Sequence, residues 1–255
     1  MKVITFALQK GGVGKTSISV SVAVALAQKG YRTLLIDSDP QGNATTWLDI
    51  NEMQRELADV LIKERNCPIK EAILSTKVEN LSIVPTASLG SDLRLYSKTY
   101  ATQQPFVIRH LVREVKNDFD YLVIDTSPSF GPLEESCLLA SDEAITVLNI
   151  DEFSTDGLIT FYQNIESLRE RYDTEKPLMN KIVLNGRDLR LSQQNDYLAK
   201  MQTTAEQSKM NLYIVPVDQS FKKAQSIHFP IQFLTETKKE TLSVISQLTN
   251  DICGM

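Results

Sequence analysis

The sequence predicts an α/β fold: a mostly parallel, twisted sheet of about seven or eight strands with helices on both faces. Two observations predict it. Short apolar, β-branched runs recur along the 255 residues, and segments of helical length separate nearly all of them, as parallel strands and crossover helices require. Most of these runs are continuously apolar, without the alternation of a half-solvated strand, so both faces of the sheet are covered. In order, the strands are Val3–Leu8, Thr33–Asp37, Leu81–Pro85, Tyr121–Asp125, Ala144–Ile150, Lys181–Asn185 and Leu212–Val217. The segment after the first strand, "TSISVSVAVALAQKG", is apolar nearly all round, like a buried crossover helix, and Gly30 is its stop. No repeat, low-complexity tract or linker interrupts the pattern, so one domain spanning residues 1–255 is expected.

Composition narrows the class. Apolar residues make up 42% of the chain and charged residues 23%, ordinary for a soluble globular protein. No apolar run approaches the ~20 residues needed to span a bilayer. The chain opens directly on a strand pattern, Met1-Lys2-Val3, with no signal-peptide signature. Cys67, Cys137 and Cys253 form neither a CxxC pair nor an even disulfide framework, which suits a reducing cytosol. His110 and His228 lie far apart and near no cysteine pair, so zinc has no support. A net charge of −5 excludes a chain coated in nucleic-acid-binding charge; any such surface is a local patch.

The stretch "ALQKGGVGKTS" ends in Gly14-Lys15-Thr16, between the first strand and its helix. That is the strand–loop–helix context of a P-loop, and it specifies the P-loop NTPase fold. Gly11, Gly12 and Gly14 let backbone N–H groups turn onto phosphate oxygens, helped by the positive end of the helix. Lys15 reaches the terminal phosphates of a nucleotide, and the Thr16 hydroxyl can ligate Mg²⁺. The pattern G-x-x-x-x-G-K-[ST] is nevertheless broken: Gln9 stands at its first glycine, followed by a second lysine, Lys10.

Carboxylates at the ends of parallel strands face the ligand crevice. Asp37 closes the second strand, where it can sit near the metal as a second-shell group. Asp39 follows two residues later and can orient or deprotonate an attacking water. "FDYLVIDTSPS" reads as a Walker B strand whose Asp125 holds Mg²⁺ through a water, with residues 126–129 as the loop that senses the γ-phosphate. Trp47 is expected to pack near the Asp39 turn.

Together "QKGGVGKTS", "LLIDSDPQGNATT" and "DYLVIDTSPSFGPLEESCLLASD" resemble the ParA partition ATPases of the deviant Walker A group, which also includes MinD and the nitrogenase iron protein. "LADVLIKERNCPIKEAIL" with "NLSIVPTASLGSDL" looks like the family's middle segment, and "VPVDQSFKKAQSIHFPI" sits at its nucleotide-base loop. The likeness is to the short, chromosomal type. It implies ATP and Mg²⁺ as cofactors, with Lys10, Gly11, Gly12, Val13, Gly14, Lys15, Thr16, Ser17, Pro216 and Asp218 at the nucleotide. It implies Lys10, Lys15 and Asp39 as catalytic residues. Lys10 matches the signature lysine that reaches the partner's phosphates across an ATP-sandwich homodimer, as an arginine finger does in trans. The chain also departs from the family. Ser127 replaces a usual proline, which implies a looser loop; Asp218 replaces an asparagine; Ser220 replaces an arginine, with Lys222 and Lys223 nearby.

The resemblance further implies nonspecific DNA binding, a ParB-type adaptor that stimulates slow hydrolysis, a nucleoid-associated cytoplasmic location and no membrane. Residues 181–231 carry seven cations against four carboxylates, a net of +3 that leaves −8 for the rest of the chain. Arg187, Arg190, Lys222 and Lys223 are the expected phosphate contacts. Two other readings stand beside this one. A MinD-like membrane ATPase would use the stripe Leu242, Ile245, Leu248 and Ile252, although such a stripe is more often core packing. A ParA-like positioning ATPase for cargo other than DNA would share the same cycle. An iron–sulfur role would need a second cysteine beside Cys137.

Overall fold

The computed structural model describes residues 1–88, 91–99, 101–151 and 154–255. Leu89 and Gly90 of the middle segment lie outside the described residues. Strand β1 (Lys2–Phe6) runs into the glycine loop and helix α1 (Lys15–Gln28), then β2 (Thr33–Asp37). Short helices α2 (Asn43–Trp47), α3 (Leu57–Leu61) and α4 (Ile69–Ala72) lead to β3 (Leu74–Ser75) and β4 (Leu81–Val84). Next come α5 (Leu93–Thr99), α6 (Val107–Val115), β5 (Tyr121–Asp125), α7 (Pro132–Ala140) and β6 (Glu143–Asn149). The chain continues through α8 (Ser154–Tyr172), β7 (Leu178–Arg187), α9 (Gln193–Gln207) and β8 (Asn211–Pro216), and ends with α10 (Ser220–Ser226) and α11 (Lys239–Cys253).

The strands form one sheet in the order β3-β4-β2-β5-β1-β6-β7-β8, parallel throughout except for β3 against β4. Strand β1 lies between β5 and β6, where the order of connection reverses, and ligands of such sheets bind beyond the carboxyl ends at that point. Register brings the strand-end carboxylates there. Phe6 pairs with Asp125, and Asp125 pairs with Asp37. Both acids therefore end level with the start of the glycine loop.

Alternating residues of one strand enter two apolar layers, which is why the runs are continuously apolar. Leu34, Ile36, Leu122 and Ile124 pack with α3, α4, α6 and α7 on one face. Leu35, Val123, Ile145 and Val183 pack with α1 and α11 on the other. Helix α1 is buried on nearly every side because α11 covers the face turned away from the sheet. Ile245, Leu248 and Ile252 of α11 are spent on that contact, so the C-terminal stripe is core. Among the described residues no helix is long and apolar enough to cross a membrane.

Three details depart from the expectation. Strand β1 stops at Phe6; Ala7 makes one more rung, its N–H 3.1 Å from the Ile145 carbonyl, before the chain turns. The antiparallel β3 has only two residues, too few to leave a period in the sequence. Lys181 is 2% exposed and donates to Glu143 at 2.9 Å, so it adds nothing to a surface patch.

Candidate functional site

The glycine loop adopts its shape through one backbone position and one distant side chain. Gly14 caps α1 with φ 90°, and a Cβ there would lie 2.3 Å from Nδ2 of Asn185. Only glycine fits, because Asn185 occupies that space to donate to the Val13 carbonyl at 2.9 Å. Asn185 lies two residues before the end of β7 and was not among the sequence candidates; its place at the end of the strand expected over Lys181–Asn185 was the available signal. Gly11, Gly12, Val13, Gly14, Lys15, Thr16 and Ser17 line a cavity of about 470 Å³ together with Asp39, Gln41, Asn43, Thr126 and Pro128. Lys15 is 6% exposed, and its ammonium folds back to donate to the Lys10 carbonyl at 3.1 Å. Burial lowers its pKa, opposed by Asp125, Asp39 and Glu134.

Thr16 and Ser19 both donate to Asp125, at 2.7 and 2.9 Å. Burial lifts the Asp125 carboxyl to about 6, against those two hydrogen bonds. With its proton given to Asp125, the Thr16 oxygen keeps its lone pairs for a cation. Among the described residues no group of three His, Cys, Asp or Glu side chains could hold a metal by itself. Mg²⁺ is commonly held by one or two protein oxygens together with phosphates and water, and Thr16 with Asp125 supplies such oxygens here.

Asp37 has a different task. Its Oδ2 accepts the Thr45 N–H at 2.8 Å and the Thr45 hydroxyl at 2.7 Å, tying α2 to the end of β2. Complete burial, then the nearby Asp125, push its carboxyl up to about 8. It does not line the cavity. Asp39 does: it is 6% exposed, accepts the Gln41 N–H at 2.9 Å, and burial raises its pKa. Trp47 packs edge-on to Phe221 and donates to the Phe229 carbonyl at 3.1 Å, so it is structural as expected.

The structure bears on four sequence expectations. The loop after β5 is not loosened by Ser127, because that hydroxyl donates to the buried Glu134 and lies 2.7 Å from the Ser129 hydroxyl. Lys10, expected to reach a partner's phosphates, pairs its Nζ with Asp151 of its own chain at 2.5 Å, with about a third of each side chain exposed. Pro216 and Asp218 do not line the glycine-loop cavity. They border a separate one of about 650 Å³ with Arg187, Arg190, Lys223 and Lys238. The Asp218 carboxylate is consumed by caps, accepting from Ser220 N–H and hydroxyl at 2.9 and 2.7 Å, from Lys238 N–H at 3.0 Å and from the Thr241 hydroxyl at 2.7 Å. Burial works to raise its pKa; these bonds outweigh it and hold it below the ordinary value.

Of the four expected DNA contacts, Arg187, Arg190 and Lys223 border that second cavity together, and Lys222 lies elsewhere. Lys222 lines the glycine-loop cavity instead, with Phe221 and Gln225 of α10. Arg187 is half-buried against Gln194 and Asn195 of α9, at 3.2 and 2.5 Å. Lys223 pairs with Glu236. Arg190 is the most open, its side chain 85% exposed while it grips Asp188 at 2.6 Å.

Comparison with known proteins agrees with this geometry. A family model described as an AAA domain matches residues 1–179. The sporulation initiation inhibitor protein Soj of Bacillus subtilis is 33% identical over 178 residues, 68% of this chain and 68% of its own length. The virulence plasmid ParA family protein pGP5-D of Chlamydia psittaci is 31% identical over 234 residues, 89% of this chain and 86% of its own. A solved McdA–ATP complex from Cyanothece has a TM-score of 0.85 over 100% of this chain and 97% of that one, at 18% identity, a likeness of fold alone. The chain belongs to the AAA domain family, among the ParA/MinD-type P-loop partition ATPases.

Proposed function

We propose that the chain hydrolyses ATP slowly, forms a homodimer around two ATP molecules, and holds nonspecific DNA in that state. A ParB-type partner stimulates hydrolysis and releases it, so that a chromosome or plasmid is moved or placed. The observation that carries this reading is the grouping of Lys15, Thr16 bonded to Asp125, and the buried Asp39 around one cavity at the end of β1. Gly11, Gly12 and Gly14 offer backbone N–H groups to the phosphates, and Lys15 neutralises the terminal ones. Thr16 and Asp125 would hold Mg²⁺, which draws electron density from the scissile phosphate. Asp39 orients the attacking water and accepts its proton. Burial favours the protonated form of Asp39, which makes its anion a stronger base than an exposed aspartate.

Lys10 acts in trans. It leaves Asp151 when a second subunit brings a triphosphate opposite it. Both side chains of that pair are about a third exposed, so giving it up costs only about 0–1 kcal/mol. Arg190 and Lys223 are the proposed DNA contacts, each exchanging an internal carboxylate for a phosphate. Lys222 is reassigned to the nucleotide. The family membership and the relatives' names support partition as the process served. The test is retention of random-sequence DNA with ATP against ADP across a salt series. Retention is expected with ATP only and should fall steeply with salt, since both sets of contacts in a dimer release counterions. Equal retention in both nucleotides would sink the proposal.

A further inference from the structure

A pair of buried side chains ties down the loop after β5, and the nucleotide chemistry above makes no use of it. Ser127 is 8% exposed and Glu134 is 4% exposed. The Ser127 hydroxyl donates to one oxygen of Glu134, and the other oxygen accepts the Gly131 N–H at 2.9 Å. Capping α7 requires only the second of these bonds. The first oxygen points back into the loop, where Ser127 also contacts the Ser129 hydroxyl at 2.7 Å. Ser127 and Glu134 line a cavity of about 630 Å³ with Arg94, and this cavity shares Asp39, Gln41 and Pro128 with the nucleotide cavity. The clasp thus borders the place where Asp39 would meet water. At position 127 a proline is usual in the resembled family, and proline stiffens a loop covalently. Here a charge-assisted hydrogen bond supplies the stiffness.

We infer that Glu134 is a positioning residue for ATP hydrolysis: through Ser127 it fixes residues 126–129 against the γ-phosphate and the water that Asp39 orients. The inference rests on the ATPase reading above. Ser127→Ala and Glu134→Ala should each lower kcat about tenfold, since small misplacements at a reacting centre are costly. KM for ATP should hardly move, because the glycine loop is untouched. The double variant should be no worse than the worse single one, as expected when two groups act through one bond. Glu134→Gln should keep most of the rate, its amide oxygen accepting from Gly131 and its NH₂ donating to Ser127. Ser127→Pro should also keep the rate, and in that background Glu134→Ala should cost little.

A mere helix cap behaves otherwise. Losses would then add, would follow Tm, and would be as large with proline at 127 as with serine; that pattern overturns the inference. Amide exchange of Thr126, Ser129 and Phe130 in nucleotide-free protein reads the clasp without any catalysis. It should quicken in both alanine variants and not in Ser127→Pro; unchanged exchange in the alanine variants overturns the clasp. Wild-type protein that turns over no ATP overturns the ATPase reading and this inference together, whereas wild-type turnover with additive losses overturns the inference alone.

Discussion

Four carboxylates gather near the end of β1, and what each one touches separates their tasks. Asp125 accepts hydrogen bonds from two hydroxyls, Asp37 accepts from Thr45, Glu134 accepts from Ser127, and Asp39 alone among the three aspartates lines the nucleotide cavity. A pH dependence follows. The Asp37 carboxyl is raised from 3.8 to about 8, so the folded state holds a proton that the unfolded chain has lost between those values. Stability from this group is complete below pH 4 and declines as the pH rises toward 8. Asp125, raised to about 6, adds to the decline in its lower part. The Tm of nucleotide-free protein should therefore fall between pH 5 and pH 8. Asp37→Asn, which keeps an oxygen for the Thr45 N–H, should flatten that fall. A parallel pair of curves would remove Asp37 as the cause.

Among the elements, the end of β7 matters to nucleotide binding as much as β1 does. Asn185 reaches from β7 to the Val13 carbonyl and shapes the loop around a glycine that no other residue could replace. Asn185→Ala removes one hydrogen bond, about 1 kcal/mol, and leaves the Val13 carbonyl unpaired. ATP affinity should weaken about fivefold, the equivalent of that energy, with little loss of Tm. Calorimetric titration checks it, and an unchanged Kd would mean the loop holds its shape without the side chain. The Gly14-Lys15-Thr16 motif was legible because strand, loop and helix follow one another in the chain. Asn185 was not, because 172 residues separate it from Val13. Asp218 was placed at the nucleotide by resemblance alone; the fold shows that α10 and α11 both begin beside it and use its oxygens as caps.

At the scale of the whole molecule the proposed cycle turns on Lys10. Lys10→Ala should remain monomeric on gel filtration with a non-hydrolysable ATP analogue while its Tm stays near that of the parent. Asp39→Ala should run as a dimer with ATP itself, retain DNA and turn over little. A Lys10→Ala protein that dimerises like the parent would end the role in trans. The sequence by itself determined the fold class, the phosphate loop and the strand-end acids, because each is written in a local period or spacing. Tertiary structure alone decided the surroundings of the lysines: that Lys222 lines the glycine-loop cavity, that Lys10 rests on Asp151, and that Lys181 is buried. The physical reason is that pairings between distant residues depend on the order in which strands lie side by side, and crossover segments of similar length allow more than one order.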